Sequence, residues 1–396
     1  MTAAALPSQD RPAPVSGAFL VRATMLAFAL WLASAFAAFV LEGDVAIGER
    51  GVLGGDFLAF YAASLGVQAG DALAMYDIPA FEAQLRTIVD LPVYGLWWQY
   101  PPPVFTLITP LAYLPYPVAF ILWIGGTLAL FAGALRTTGL PTRFVLFGAC
   151  SPLALIVINQ GQIAFLTAAL LVVAASCAKS RPVLAGICAG LLVIKPQLGV
   201  LLPVAYAAAG CWRAFGVATL TAMAAVLLST LMFSFDVWAQ FFDAVARLNA
   251  DISGPRTVAP LAGMATPMAT LMSWGAPAAL ARGLHILIAV GLAGFVGWVW
   301  RRRGVDDLAA AALCAASVLV TPYAYAYELI ALAFPCVVLA RHALAERWLV
   351  GEREALAVGW LAAMTYGFWA HAEGWPVAFA IAAVGFALIA RRAAAR

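Results

Sequence analysis

Residues 103–135 read PVFTLITPLAYLPYPVAFILWIGGTLALFAGAL, a run with no acidic or basic side chain. A soluble surface cannot be made from such a stretch, whereas a helix of about 20 apolar residues crosses a hydrocarbon core with every backbone group paired internally. The run is interrupted at Leu114-Pro115-Tyr116-Pro117, so it is either one bent helix or two short ones. Comparable runs lie at residues 19–41, 144–158, 163–178, 183–194, 198–210, 214–233, 279–300, 308–320, 329–340, 355–369 and 376–390. With 65% hydrophobic and 10% charged residues, the chain reads as an all-α, polytopic transmembrane helical bundle. Roughly 11 to 13 hydrophobic segments are expected on the length criterion. Residues 1–396 form one domain on this reading, opened by a polar tail at 1–18. The first span is too long for a signal-peptide core and is read as retained.

Charge orients the bundle, because Lys and Arg collect on the cytoplasmic side of short loops. Arg22, Lys179 with Arg181, Arg213, Arg301, Arg302 and Arg303, Arg341 with Arg347 and Arg353, and Arg391 with Arg392 all bound spans and are placed inside. The loop at 42–103 reverses the balance, with Glu42, Asp44, Glu49, Asp56, Asp71, Asp77, Glu82 and Asp90 against Arg50 and Arg86. It is placed outside, on the periplasmic or outer face of a plasma (inner) membrane. If residues 103–135 crossed twice, Lys179 would fall outside, so one segment between 103 and 178 is expected to be re-entrant or interfacial. The formal charge of +3 is too small to suggest nucleic acid. The cysteines Cys150, Cys177, Cys188, Cys211, Cys314 and Cys336 sit in or beside apolar stretches and read as packing residues.

Further helices are expected to lie on the membrane. In 235–248, Val237, Trp238, Phe241, Phe242, Val245 and Leu248 share one helical face, opening an outer interfacial segment at 235–278. Residues 57–68 and 79–89 are short candidates within the first outer loop, the second capped by Asp77 with Pro79 in its first turn.

Five stretches then occur in order: GGDFLAFYAA from Gly54, YPPPVFTLITPLAYLP from Tyr100, NQGQ from Asn159, KPQ from Lys195 and TPYAYAYE from Thr321. Together they make the chain resemble glycosyltransferase family 87, membrane enzymes of the GT-C fold, over roughly residues 19–340. The resemblance implies a mannosyltransferase-like enzyme that takes a hexose from a polyprenyl-phosphate sugar donor and passes it to a lipid or glycan acceptor of the cell envelope. It also implies an acidic base in the first outer loop, here Asp56. One carboxylate suffices for that chemistry, since a phosphate leaving group departs as a stable anion without being protonated. Inverting transfer, with Asp56 taking the proton of the attacking hydroxyl, is the expected course. Asp56 can alternatively be the helix cap that Asp commonly supplies, and the two roles can coexist.

Lys195 interrupts an apolar run beside the helix-breaking Pro196. A cation there needs a partner or a wet cavity, and is read either as a ligand of the donor phosphate or as a lysine snorkelling to the interface. Arg256 is a second phosphate candidate, weighed against ordinary loop solvation. Tyr61, Gln99, Tyr100, Asn159, Gln160, Gln162, Gln197, Tyr325, Tyr327 and Glu328 are candidate sugar and substrate contacts, since amides pair with hydroxyls and rings cover apolar sugar faces. For Trp97, Trp98 and Tyr100 an interfacial aromatic belt competes with that role, and for Asn159 to Gln162 a polar turn does. Mycobacterial members place histidines where Tyr327 and Glu328 stand here; Glu328 either orients a substrate hydroxyl, pairs with Lys195 or is solvated. His285, His342 and His371 share no ligand spacing, so no metal or other cofactor is assigned. The competing functional class is a lipid or solute transporter, which predicts polar residues at the midplane and repeated halves; a non-catalytic scaffold predicts nothing special about Asp56.

Overall fold

The computed structural model describes residues 54–89, 96–253, 261–366 and 375–395, with isolated positions before residue 54. Most of the expected first span, Arg256 and His371 lie outside the described residues. Apart from a two-residue antiparallel pairing of Ala46–Ile47 with Gly51–Val52, the regular structure described is helical. Five described helices are long and apolar enough to cross a membrane: Tyr116–Thr137, Trp212–Phe233, Ala278–Arg303, Ala326–Ala345 and Val377–Ala395. A sixth passage is the pair Thr142–Ala149 and Pro152–Gln160, bent by 45° where Pro152 starts the second piece. Shorter apolar helices, among them Ala164–Ser176 and Asp307–Val320, run alongside. The chain is an integral membrane protein of all-α type.

The break at Leu114-Pro115 divides the 103–135 run into two helical pieces. Pro103–Ile108 and the 3-10 turn Thr109–Tyr113 form a short apolar piece, and of the two only Tyr116–Thr137 is long enough to cross. Cys177 Sγ then lies 3.9 Å from Thr137 Oγ1, which brings Lys179 to the same end as the C-terminus of that span. The other basic helix ends gather there too. Arg303 pairs with Asp306 at 2.6 Å, Arg341 and His342 with Asp307, and Arg392 with Glu352 at 2.6 Å. Tyr206 donates to the Ala174 carbonyl at 2.9 Å and its ring meets Trp300 at 6.2 Å, which puts the turn before Arg213 beside the others. At the opposite end, His285 Nε2 sits 3.2 Å from the Val320 carbonyl, just before the Thr321 motif. The bundle therefore has a basic end and, one helix length away, an end that carries the sequence motifs.

Helix Trp212–Phe233 is the most exposed span, with Leu220, Met223, Leu227 and Leu231 all open on its surface, as a lipid-facing helix should be. Glycines hold it. A Cβ at Gly186 would come 2.6 Å from Val217 Cβ, and one at Gly190 2.5 Å from the Ala218 carbonyl oxygen. Without a hydrophobic drive between helices in lipid, such close backbone approach supplies the packing.

In the first outer loop the expected helices form as Phe57–Gln68 and Ile78–Arg86, the second with Ala80 N–H donating to Asp77 Oδ1 at 3.0 Å. The first departs from expectation. Phe57, Leu58, Phe60, Ala62 and Ala63 are wholly buried, so it is not laid on a surface by one face. Because it is apolar all round, it inserts into the protein, with Phe57 against Tyr116, Phe120 and Trp123. The 235–248 segment forms helix Asp236–Ser253; Val237 and Phe241 are buried while Phe242 stays open, so only part of the expected apolar face docks on protein.

Candidate functional site

Two glycine turns meet face to face and place the central pair of residues. The first is Gly54-Gly55, both at positive φ, 79° and 48°, which carries the chain sharply into helix Phe57–Gln68. The second is Gly161, left-handed at φ 63°, which ends helix Pro152–Gln160 as glycine commonly does. A Cβ on Gly161 would lie 2.2 Å from the Gly54 carbonyl oxygen and 2.5 Å from Phe57 Cβ, and one on Gly55 would lie 3.1 Å from Gln160 Oε1. Trp123 Nε1 donates to the Gly161 carbonyl at 3.2 Å and steadies the second turn. Only side-chain-free residues allow this approach.

The contact decides what Asp56 does. Asp56 holds the N-cap position of its helix, yet its side chain makes no cap hydrogen bond. Instead Oδ2 accepts from Gln162 Nε2 at 2.6 Å, while Gln162 Oε1 accepts from the Tyr100 hydroxyl at 2.7 Å. The capping alternative is thereby removed. Burial pushes the Asp56 carboxyl above its ordinary value, and the Gln162 hydrogen bond and the Lys195 charge pull it part of the way back.

Lys195 enters from the break between the 3-10 turn Leu192–Ile194 and helix Pro196–Gly199, where Pro196 cannot continue the hydrogen-bond ladder. Its ammonium does not snorkel: the residue is 7% exposed and pairs with Glu328, which is 3% exposed. Nζ also lies 5.4 Å from the centroid of the Tyr100 ring and 4.8 Å from that of Tyr327. A desolvated cation between two rings gains on the order of 2 kcal/mol from each well-placed face. Tyr327 stacks on Tyr325 at 5.7 Å, and the segment is tied down by Ala265 N–H donating to the Ala324 carbonyl at 2.6 Å.

Six of the residues singled out from sequence thus form one chain of contacts: Asp56, Gln162, Tyr100, Lys195, Glu328 and Tyr327, with Tyr325 stacked at its end. Others stand apart. The Tyr61 hydroxyl donates to the Leu114 carbonyl at 2.8 Å and its ring packs on Tyr116, so it pins the outer loop to the span break. Gln99 lines a small cleft with Trp97, Trp98, Tyr76 and Arg247. Trp98 is buried and stacked on Phe105 at 5.2 Å, which places it in the core rather than in an interfacial belt. Asn159 is exposed, and Gln160 and Gln197 are half-buried. Trp123 carries the Gly161 turn but has no mark in the sequence beyond being an indole in an apolar span. The pair Tyr323 and Asn249, joined by a hydrogen bond, was likewise not foreseen; the only hint is an amide at the end of an amphipathic helix. Among the described residues no three His, Cys, Asp or Glu side chains stand close enough to hold a metal.

The arrangement offers a partly screened carboxylate with a fixed orientation, beside an aromatic-walled cation whose charge is balanced by Glu328. Comparison with known proteins adds one match: the family model described as glycosyltransferase family 87 matches residues 98–322, more than half of the chain. No curated protein and no solved structure matches.

Proposed function

The chain belongs to glycosyltransferase family 87, and from that premise we propose that it moves a hexose, mannose by expectation, from a polyprenyl-phosphate donor to a lipid-linked or glycan acceptor. In this reading the fold is of GT-C type and the reaction runs at the outer face of the membrane, the basic helix ends lying inside. The observation that carries the reading is the state of Asp56. One of its oxygens is held by Gln162, and Oδ1 receives no hydrogen bond from the described residues.

The acceptor hydroxyl oxygen attacks the anomeric carbon from the face opposite the donor phosphate, and its proton passes to Asp56 Oδ1. The anomeric C–O bond breaks, its electron pair leaves with the polyprenyl phosphate, and configuration inverts. No acid is needed on the leaving side. Lys195 carries three N–H donors, so it can turn one to the departing phosphate while staying paired with Glu328; Arg256 is the second candidate for that anion. The faces of Tyr100, Tyr327 and Tyr325 suit a sugar ring, and Asn159, Gln160 and Gln197 remain candidate hydroxyl partners.

The test uses purified protein in lipid with polyprenyl-phosphate mannose, the glucose analogue and candidate acceptor lipids. Transfer is expected with a polyprenyl-phosphate sugar, and Asp56→Asn should lower turnover at least about a hundred-fold with helicity and melting unchanged. Undiminished transfer by a folded Asp56→Asn protein overturns the base assignment; transfer from nucleotide sugars alone overturns the donor.

A further inference from the structure

At the basic end, about half of the cations already have partners. Arg303, Arg341 and Arg392 are in ion pairs with acids, Arg136 donates to Thr142, Arg391 donates to the Val350 carbonyl, and Arg143 and Arg302 lie over aromatic rings. Lys179, Arg181, Arg213, Arg301, Arg347 and Arg353 are exposed there without an ion pair or side-chain hydrogen bond among the described residues, and of these Arg181 and Arg213 are set apart by sharing a groove. They flank one groove of about 410 Å³, whose other walls are Pro182, Val183, Leu184 and Ile187.

The groove's position gives it a ligand class. It lies where helix Pro182–Leu191 meets the lipid-facing helix Trp212–Phe233, the pair closed by Gly186 and Gly190. Val183, Leu184 and Ile187 are open, and Trp212, 64% exposed, stands beside Arg213 at the level where indoles anchor a helix to the headgroup layer. An apolar wall flanked by Arg181 and Arg213 matches a molecule with acyl chains and an anionic head. Guanidinium pairs with phosphate in a bidentate way that a zwitterionic head, carrying its own cation, satisfies less well. We propose that this groove is a selective site for an anionic phospholipid of the inner leaflet, on the opposite side of the protein from Asp56.

The test loads full-length protein in nonionic detergent with equimolar phosphatidylglycerol and phosphatidylcholine and counts retained lipids by native mass spectrometry. The unmodified protein should retain phosphatidylglycerol in preference to phosphatidylcholine. Arg181→Ala with Arg213→Ala should cut that preference about five-fold per arginine removed, with the melting temperature in detergent alone unchanged. Arg353→Ala, which removes an exposed charge at the same end, should leave it intact. A second double variant, Arg181→Lys with Arg213→Lys, keeps charge and should hold part of the preference. Equal retention of the two lipids by the unmodified protein overturns the proposal, and so does a preference that survives Arg181→Ala with Arg213→Ala or falls equally with Arg353→Ala. Sugar transfer is not part of the readout, so the result stands apart from the assignment of Asp56.

Discussion

Gln162 holds Asp56 through Nε2 while its own Oε1 is occupied by the Tyr100 hydroxyl. An amide can flip, exchanging donor for acceptor, and a carboxylate facing the amide oxygen would be repelled. Tyr100 prevents the flip, because its O–H has to find an acceptor. The aromatic ring that faces Lys195 therefore also fixes the carboxylate. Tyr100→Phe should keep the ring contact and lose the orientation, lowering turnover about ten-fold with little change in donor binding; a split of kcat from KM in the lipid assay checks this.

The pH profile gives a second prediction. On the proposed role of Asp56 as base, which must be ionised, activity should fall as pH drops through its pKa, and burial places that fall above the ordinary carboxylate range. Gln162→Leu removes a donor that stabilises the ionised form. The acid limb should then move to still higher pH, read from kcat/KM against pH. A limb that stays in place would falsify the pairing of these two residues in the working enzyme.

Lys195 and Glu328 form a buried pair in apolar surroundings. Removing one partner leaves a charge without compensation, so Lys195→Met and Glu328→Gln should each cost about 3 to 5 kcal/mol of stability. The double replacement Lys195→Met with Glu328→Met should recover most of the loss, since two methionines fill the space without charge. Thermal unfolding in detergent measures this. Transfer activity should remain low in the double variant if Lys195 also serves the donor phosphate.

Gly161→Ala tests the contact of the two turns. The new methyl group meets the Gly54 carbonyl at 2.2 Å and the residue keeps φ 63°, so it carries backbone strain and overpacking of about 1 to 3 kcal/mol each. Pushing the turns apart separates Asp56 from Gln162. Turnover should fall more than stability alone predicts, with activity compared at a temperature where the variant is fully folded.

Gly190→Leu bears on the bundle instead. It drives a side chain into Ala218 and Thr221 of the lipid-facing helix, and should lower stability by about 1 to 3 kcal/mol. The intrinsic chemistry at Asp56, on another part of the fold, should be little altered in the fraction that remains folded.

Much of this was legible before any coordinates. Apolar runs such as 103–135 pair their backbone internally in lipid, so the helical class follows from composition; of the roughly 11 to 13 segments expected on length, five described helices, six with the bent pair, are long enough to cross. The family resemblance carried by the ordered motifs pointed to Asp56, a cation interrupting an apolar run pointed to Lys195, and the amides and rings that suit a sugar pointed to Gln162, Tyr100 and the tyrosines after Thr321. Periodicity was a weaker guide at Phe57–Gln68, where an all-apolar helix is equally consistent with a membrane surface and a protein interior; the surrounding aromatic rings decided for the interior.

Tertiary structure alone chose between the alternatives the residues left open. Asp at a helix start has the same local signal whether it caps or not, and only the approach of a turn more than a hundred positions away turned its carboxylate to Gln162. Lysine beside proline reads the same whether it reaches the interface or a buried glutamate; the pairing with Glu328 across 133 positions selected the latter. Local sequence specifies backbone class through short-range sterics and solvation, whereas the partner of a polar side chain is set by which distant backbones can approach closely enough, and here that permission came from glycines.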